Sequence, residues 1–247
     1  MNSQTPAARR PKNPIRLRDA WKALRKLLAD PDRTDHVFTI IDALSGNSSE
    51  RLFKRFAVTQ TGKRILSEER EILPILSDRA ALHALPQGSL GHTYATFMES
   101  EQISADGLVE ASEEGGRQIH KADDPNRIRV GTRLRDTHDL WHVTTGYNRD
   151  LVGEALLLSF TFAQTRNPGI GAIVAMAYLH SGDIPGSRRM IRDAYRRGRK
   201  AAWLPAADWE SMLARPIDEV RAELGLQDIP VYEEMRSAAG ELALKSQ

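Results

Sequence analysis

Four side chains in one stretch, HDLWHVTTGYNRDLVGE (residues 138–154), are of the types that bind a metal ion: His138, Asp139, His142 and Glu154. His138 and His142 are spaced i, i+4, which on a helix sets them on one face about 5–6 Å apart at Cβ. Two imidazoles so placed can grip one ion. Asp139 lies one step round the helix and can reach the same ion or orient a histidine. Glu154 follows His142 by twelve residues, which at about 100° per residue would carry it some 120° away on one continuous helix. A single helix therefore cannot assemble all four.

The intervening TTGYN offers a way out. Gly146 and Asn148 are turn formers, and Asn148 is a plausible N-cap for a new helix. An antiparallel helix pair folded at this turn would bring His142 and Glu154 to one seam, as in metal sites inside helical bundles. Glu154 sits in an apolar run, LVGEALLLS, so burial would require it to be paired, protonated or metal-bound. A histidine pair on a helix is also an ordinary surface feature, and spacing alone leaves both readings open. His36, His83, His92, His120 and His180 have no partner at ligand spacing and are read as non-ligands.

The elements that would carry these residues are helical throughout. Leu17, Trp21, Leu24 and Leu28 fall on one stripe, the three-to-four spacing of an amphipathic helix. Further helices are expected over DHVFTIIDAL, SERLFKRFAV and TGKRILSEER, and from about Ser89. The most apolar region, residues 151–180, divides at RNPG into two helices. A long helix follows, from Pro185 to about Lys200, and two short ones separated at Pro216 close the chain. Strand alternation is scarce. The expected fold is all-α: a single mostly helical domain over residues 15–247, preceded by a flexible basic arm over 1–14.

Composition narrows the function. With no cysteine, disulfides, zinc–thiolate sites and thiol nucleophiles are excluded. A net charge of +2 argues against a dedicated nucleic-acid binder. No apolar run is long enough to span a bilayer, and no secretory signal is visible. The charge is nonetheless uneven. Residues 1–26 hold eight Lys/Arg against Asp19, and residues 188–200 hold seven against Asp193. Each run reads as a solvated helix face or as a contact for anionic lipid head groups. Arg188, Arg192 and Arg196 share one face of the second.

The pattern HD, two residues, H, eleven residues, E resembles the signature of the coenzyme Q biosynthesis protein 4 family. The resemblance extends to LPQGSLGHTYATFM, RLRDTHDLWHVTTGY, AYRRGRKAAWL, DWE and IDEVRAELGL, in order, over about residues 16–226. It implies a mostly helical fold and a divalent metal, usually taken as zinc, on His138, Asp139, His142 and Glu154. It implies oxidative decarboxylation of a polyprenylated hydroxybenzoate in ubiquinone synthesis, with the carboxyl at ring carbon 1 replaced by hydroxyl. An older view of the family implies instead a lipid-binding scaffold for the other ubiquinone biosynthetic enzymes, with a structural metal. The resemblance also suggests a homodimer. The short sequence before the first helix favours a bacterial protein, in the cytoplasm and peripheral to the inner membrane. A eukaryotic form would lie on the matrix side of the mitochondrial inner membrane.

Such a substrate sets requirements. Its greasy tail needs an apolar groove, for which residues 151–180 are the candidate wall. Its phenolate or carboxylate needs a Lewis acid, which a two-histidine, two-carboxylate site with an open position supplies. Zinc is redox-silent, so with zinc the electron-rich substrate must itself react with oxygen, whereas iron or manganese could activate oxygen. Nitrogen and oxygen ligands suit all three ions. Arg133 and Arg135 are candidates for a bidentate grip on the substrate carboxylate. Tyr147 is a candidate proton donor, or simply packs. A phosphohydrolase, suggested by the adjacent HD, would need further His and Asp ligands along the chain and fits poorly.

Overall fold

The segment LVGEALLLSFTFAQT is apolar on nearly every side, the pattern of a helix surrounded by others. In the structure, a computed structural model that describes residues 14–29, 34–101, 124–180 and 185–235, it is the central helix. Among the described residues there are 14 α-helices, one short 3-10 turn and no strand, so the fold is all-α as expected. The central helix, α10 (Leu151–Thr165), buries Val152, Leu156, Leu157 and Phe160 in the main core. The basic arm expected over residues 1–14 lies, apart from Pro14, outside the described residues, as does His120.

The helix most extensively packed on α10 is α12 (Ser187–Lys200). Small residues let the two backbones come close. A Cβ on Gly198 would stand 2.6 Å from the Phe160 carbonyl oxygen, so only glycine fits there. Polar groups at this seam are satisfied in pairs. Ser159 Oγ donates to the Ile191 carbonyl at 2.7 Å, and the Gln164 amide donates to Gly198 O while accepting from Leu204 N. On the other side of α10 lies α11 (Pro168–His180), which packs on α2 (Thr34–Leu44) and, through it, on α1 (Leu17–Ala29). Ala23, Ile40 and Ile173 form the centre of that smaller core.

The first helix is amphipathic as its spacing predicts, but α2 covers only one side of its apolar arc. It packs on α2 through Ala20 and Ala23, with Leu24 and Leu27 half-buried, and leaves Leu17, Trp21 and Leu28 exposed. Spacing identifies an apolar face without saying what covers it.

α3 (Ser48–Ala57) and α4 (Gln60–Ser67) form a third small core, with Phe56, Ile65 and Val130, against α8 (Pro125–Asp136). Two short helices, α5 (Leu73–Ser77) and α6 (Arg79–His83), then lead to α7 (Leu90–Ser100), whose N-cap is Ser89. The motif helix, α9 (His138–Thr145), follows α8 almost without a break and packs against α7 and α14 (Ile217–Leu224).

Arg133 and Arg135, expected near the substrate, serve the scaffold instead. The Arg133 side chain is only 4% exposed, and its guanidinium holds Glu210, on α13 (Trp209–Met212), through two bonds of 2.6 and 2.7 Å. It also donates to the Ala207 carbonyl at 3.2 Å. Arg135 turns to Asp136 at 2.8 Å. Breaking a buried pair from one side leaves a charge uncompensated, which costs about 3–5 kcal/mol. Arg133→Met should therefore lower the denaturant midpoint sharply, and adding Glu210→Leu should recover most of the loss. A single variant that unfolds like wild type would contradict the burial of this pair.

Candidate metal centre

The motif helix has eight residues, of which Asp139 to Thr145 are all buried. So short a helix is not stable alone, and its end groups must be satisfied by neighbours. Arg221 donates to the carbonyls of Val143 and Thr144 at 3.0 and 3.3 Å. Arg197 donates to the Thr145 carbonyl at 2.6 Å and to Leu226 O at 3.1 Å. Gly146, at φ +74°, ends the helix in the left-handed conformation, and its N–H bonds the His142 carbonyl at 2.8 Å.

The turn that follows is built differently from the sequence expectation. Asp150, not Asn148, caps α10: its carboxylate accepts from the N–H groups of Val152 and Gly153 at 3.0 and 3.3 Å. Asn148 N–H instead donates to the Tyr232 hydroxyl at 2.8 Å, and that hydroxyl donates to Asp150 at 2.9 Å. The C-terminal segment thus ties the turn down from outside. An Asx residue two places further along was an equally good cap in the sequence. Only the long-range tie from Tyr232 separates the two.

This turn brings the expected ligands together. His138, Asp139 and His142 present ligand atoms that all lie within 4.8 Å of one another. His138 Nδ1 stands 3.3 Å from Asp139 Oδ1, and the two imidazole rings meet edge to face at 4.8 Å between centroids. Glu154, in the first turn of α10, brings Oε1 to 3.4 Å from His142 Nε2. The site is closed on one side and open on the other. The His142 side chain is fully buried, with Phe97 of α7 stacked on its ring, whereas Glu154 is 34% exposed.

His142 itself tests whether a metal fits. Its Nδ1 lies 2.7 Å from the Tyr147 carbonyl oxygen, which can only accept, so Nδ1 carries the proton. Nε2 of the neutral ring is then a bare lone pair, buried and without a hydrogen-bond partner, facing a carboxylate. A cation between these two electron-rich atoms, either a proton on the imidazole or a metal ion, relieves this confrontation. Two ligands each about 2.0–2.1 Å from a tetrahedral ion stand about 3.4 Å apart, the separation seen here. The backbone carbonyl on Nδ1 is the usual outer partner of a metal-ligating histidine. These residues fit a divalent ion.

The electrostatics agree. Burial would push the Glu154 carboxyl up, but His142, His138 and Arg149 outweigh it and hold it at about 2. Burial would also raise Asp139, yet His138 and His142 bring it below the usual carboxylate range. For His142, burial favours the neutral ring, while Glu154 and Asp139 raise its affinity for positive charge on balance. All three shifts come from attraction between the histidines and the carboxylates, which a proton on the imidazole satisfies as a metal ion would.

Other candidates sit apart. Arg133 and Arg135 are committed as described above. Tyr147 is buried, with Arg197 over its ring at 5.4 Å, and burial raises its phenol, so it packs and lends its carbonyl to His142. One charged neighbour escaped the sequence reading. Arg149 Nε lies 3.5 Å from Glu154 Oε1 at the mouth of the site. Its place between the turn and the Asp150 cap was the available signal.

Fold and site together define an all-α protein with a histidine–carboxylate centre at a helix–turn–helix junction. The family model described as coenzyme Q (ubiquinone) biosynthesis protein Coq4 matches residues 15–230, and the chain belongs to this family, whose role is ubiquinone biosynthesis. It is 26% identical over 204 residues to ubiquinone biosynthesis protein COQ4 homolog 1, mitochondrial, of Culex quinquefasciatus, covering 83% of this chain and 72% of that protein. It is 31% identical over 182 residues to ubiquinone biosynthesis protein coq4, mitochondrial, of Aspergillus fumigatus, covering 71% of this chain and 60% of that one. A solved structure described as a ubiquinone biosynthesis protein, from Nostoc punctiforme, shares the fold, with a TM-score of 0.64 and 23% identity over 86% of this chain and 99% of that chain.

Gly146 tests how the centre is held. An L-residue in its left-handed conformation costs about 1–2 kcal/mol, and a Cβ there would also stand 2.7 Å from Ile229 Cγ2. Gly146→Ala should lower the unfolding free energy by at least that much. In an Ile229→Ala background the contact part should vanish and the backbone part remain. An unchanged midpoint would contradict the left-handed cap.

Proposed function

We propose that this protein carries out a metal-dependent oxidative decarboxylation of a polyprenylated hydroxybenzoate, replacing the ring carboxyl with hydroxyl. The observation that supports it is the bare, buried Nε2 of His142 facing Glu154 in a centre that is open on one side, in a chain belonging to a ubiquinone biosynthesis family. His138, Asp139, His142 and Glu154 would hold the ion. With nitrogen and oxygen donors and no sulfur, zinc, iron and manganese are all suitable. When bound, the ion supplies a Lewis acid for the phenolate or carboxylate oxygen of the substrate.

The chain's own residues do the rest. Tyr147 O accepts from His142 Nδ1 and orients the ring, so that Nε2 is the nitrogen that faces the centre. Phe97 and the buried motif helix exclude water from the inner side. Arg149, beside Glu154, adds positive charge where an anionic substrate would enter. The reaction releases the carboxyl as carbon dioxide, with its bonding electron pair left on the ring. Dioxygen supplies the new hydroxyl oxygen, and its second atom is reduced to water by a two-electron donor.

The test is direct turnover. Metal-loaded protein given a prenylated hydroxybenzoate carrying a labelled carboxyl, with dioxygen and a reductant, should release labelled carbon dioxide and form the ring-hydroxylated product. Under isotopic dioxygen the new hydroxyl should carry the heavy oxygen. Glu154→Gln should abolish product with its helical signal intact. Tight binding of the prenylated compound with no release of carbon dioxide would overturn the enzyme reading in favour of a lipid-binding organiser of the other biosynthetic enzymes.

A further inference from the structure

The outward stripe of α1 has no counterpart elsewhere among the described residues. Ile15, Leu17, Trp21 and Leu28 are 57%, 71%, 61% and 46% exposed. Leu17, Trp21 and Leu28 fall within about 40° of one another on the helical wheel, forming one line along the helix. This line adjoins the packed face, which runs through Ala20, Ala23, Leu24 and Leu27, with Leu24 about 20° from Leu17 on the wheel. The helix therefore has one broad apolar arc, of which α2 covers one side and leaves the other bare.

Charge indicates what covers the bare side. Arg18, Lys22, Arg25 and Lys26 are all exposed, and Arg25 and Arg18 border the apolar line on one side of the wheel, about 40–60° beyond Trp21. The helix has one acid, Asp19, and Arg16 bonds it at 3.2 Å. Arg16 also reaches Asp42, and its N–H donates to the Ala43 carbonyl, so the start of α1 is fastened to α2. The sequence just before adds Arg9, Arg10 and Lys12 with no acid. A tryptophan and leucines in line, edged by lysine and arginine, are the composition of a helix lying in a membrane interface. Docking two copies of this face on each other would instead bring two such basic edges together.

We propose that α1 is an interfacial helix that seats the protein on an anionic lipid surface, with Leu17, Trp21 and Leu28 entering the boundary of head groups and acyl chains and Arg18, Lys22 and Arg25 meeting the lipid phosphates. This does not rest on the metal centre. It also displaces α12, the basic helix that sequence alone suggested for lipid. There Arg189 and Arg196 share Asp193, Arg197 holds the end of the motif helix, and Arg188 bonds the Tyr178 carbonyl. None of the exposed large apolar side chains lies on α12 among the described residues.

The experiment uses the full chain and vesicles of phosphatidylcholine, alone or mixed with phosphatidylglycerol. Wild type should float with the mixed vesicles and far less with the neutral ones. The combined variant Leu17→Ser, Trp21→Ser, Leu28→Ser should bind about tenfold or more weakly at an unchanged melting temperature. Arg188→Gln with Arg192→Gln should bind as wild type does. Brominated acyl chains should quench wild-type fluorescence, and Trp21→Phe should remove that quenching, because Trp141 and Trp209 are buried and the half-buried Trp203 is covered by Arg55. Undiminished flotation of the triple variant, or no flotation of wild type, would overturn the proposal. So would conversion of a dimer to a monomer by the triple variant, which would make this face a contact between copies.

Discussion

The site depends on one hydrogen bond. Tyr147 offers a carbonyl, a carbonyl can only accept, and it lies 2.7 Å from His142 Nδ1. That contact engages the outer nitrogen and turns the inner one toward Glu154, where no protein donor bonds it. A buried polar atom without a partner costs free energy. Here the cost is retained at a point where a carboxylate and a second histidine converge, so the arrangement makes sense once a cation is present.

Much of the surrounding fold serves to keep that bond in place. Tyr147 is one residue past the glycine that ends the motif helix, so its carbonyl points correctly only if the helix ends at Gly146. The helix is too short to hold its own end. Arg197 from α12 and Arg221 from α14 cross to its last carbonyls, and Tyr232 and Asp150 clamp the turn beyond. The tight α10–α12 seam at Gly198 sets where Arg197 starts from. Residues remote from the motif thus hold the helix end and turn that place His142 and Glu154. This is what rigid preorganisation of a metal centre requires.

The sequence made much of this legible, and what it left out has a physical pattern. Helix positions and the break between His142 and Glu154 follow from periodicity and turn formers, which are local. The i, i+4 histidines and the need for a second helix follow from the angle per residue. The role of Arg133 was hidden because its partner is chosen in space: Glu210 is 77 residues away. Proximity to the motif in the chain suggested substrate binding, while burial among helices made Arg133 structural. The outward face of α1 was hidden for a related reason. An apolar stripe is the same in sequence whether a core or a lipid surface covers it. Arg149 went unnoticed because a lone arginine in a turn has no pattern until Glu154 is placed beside it.

The central claim is that His138, Asp139, His142 and Glu154 bind an ion together. The most direct test is the metal content of purified, untagged protein by mass spectrometry, with His142→Ala and Glu154→Gln alongside. The account predicts about one divalent ion per chain in wild type and its loss in both variants, with the helical signal unchanged. Wild-type protein that carries no metal, even after incubation with zinc, iron(II) and manganese(II), would contradict it.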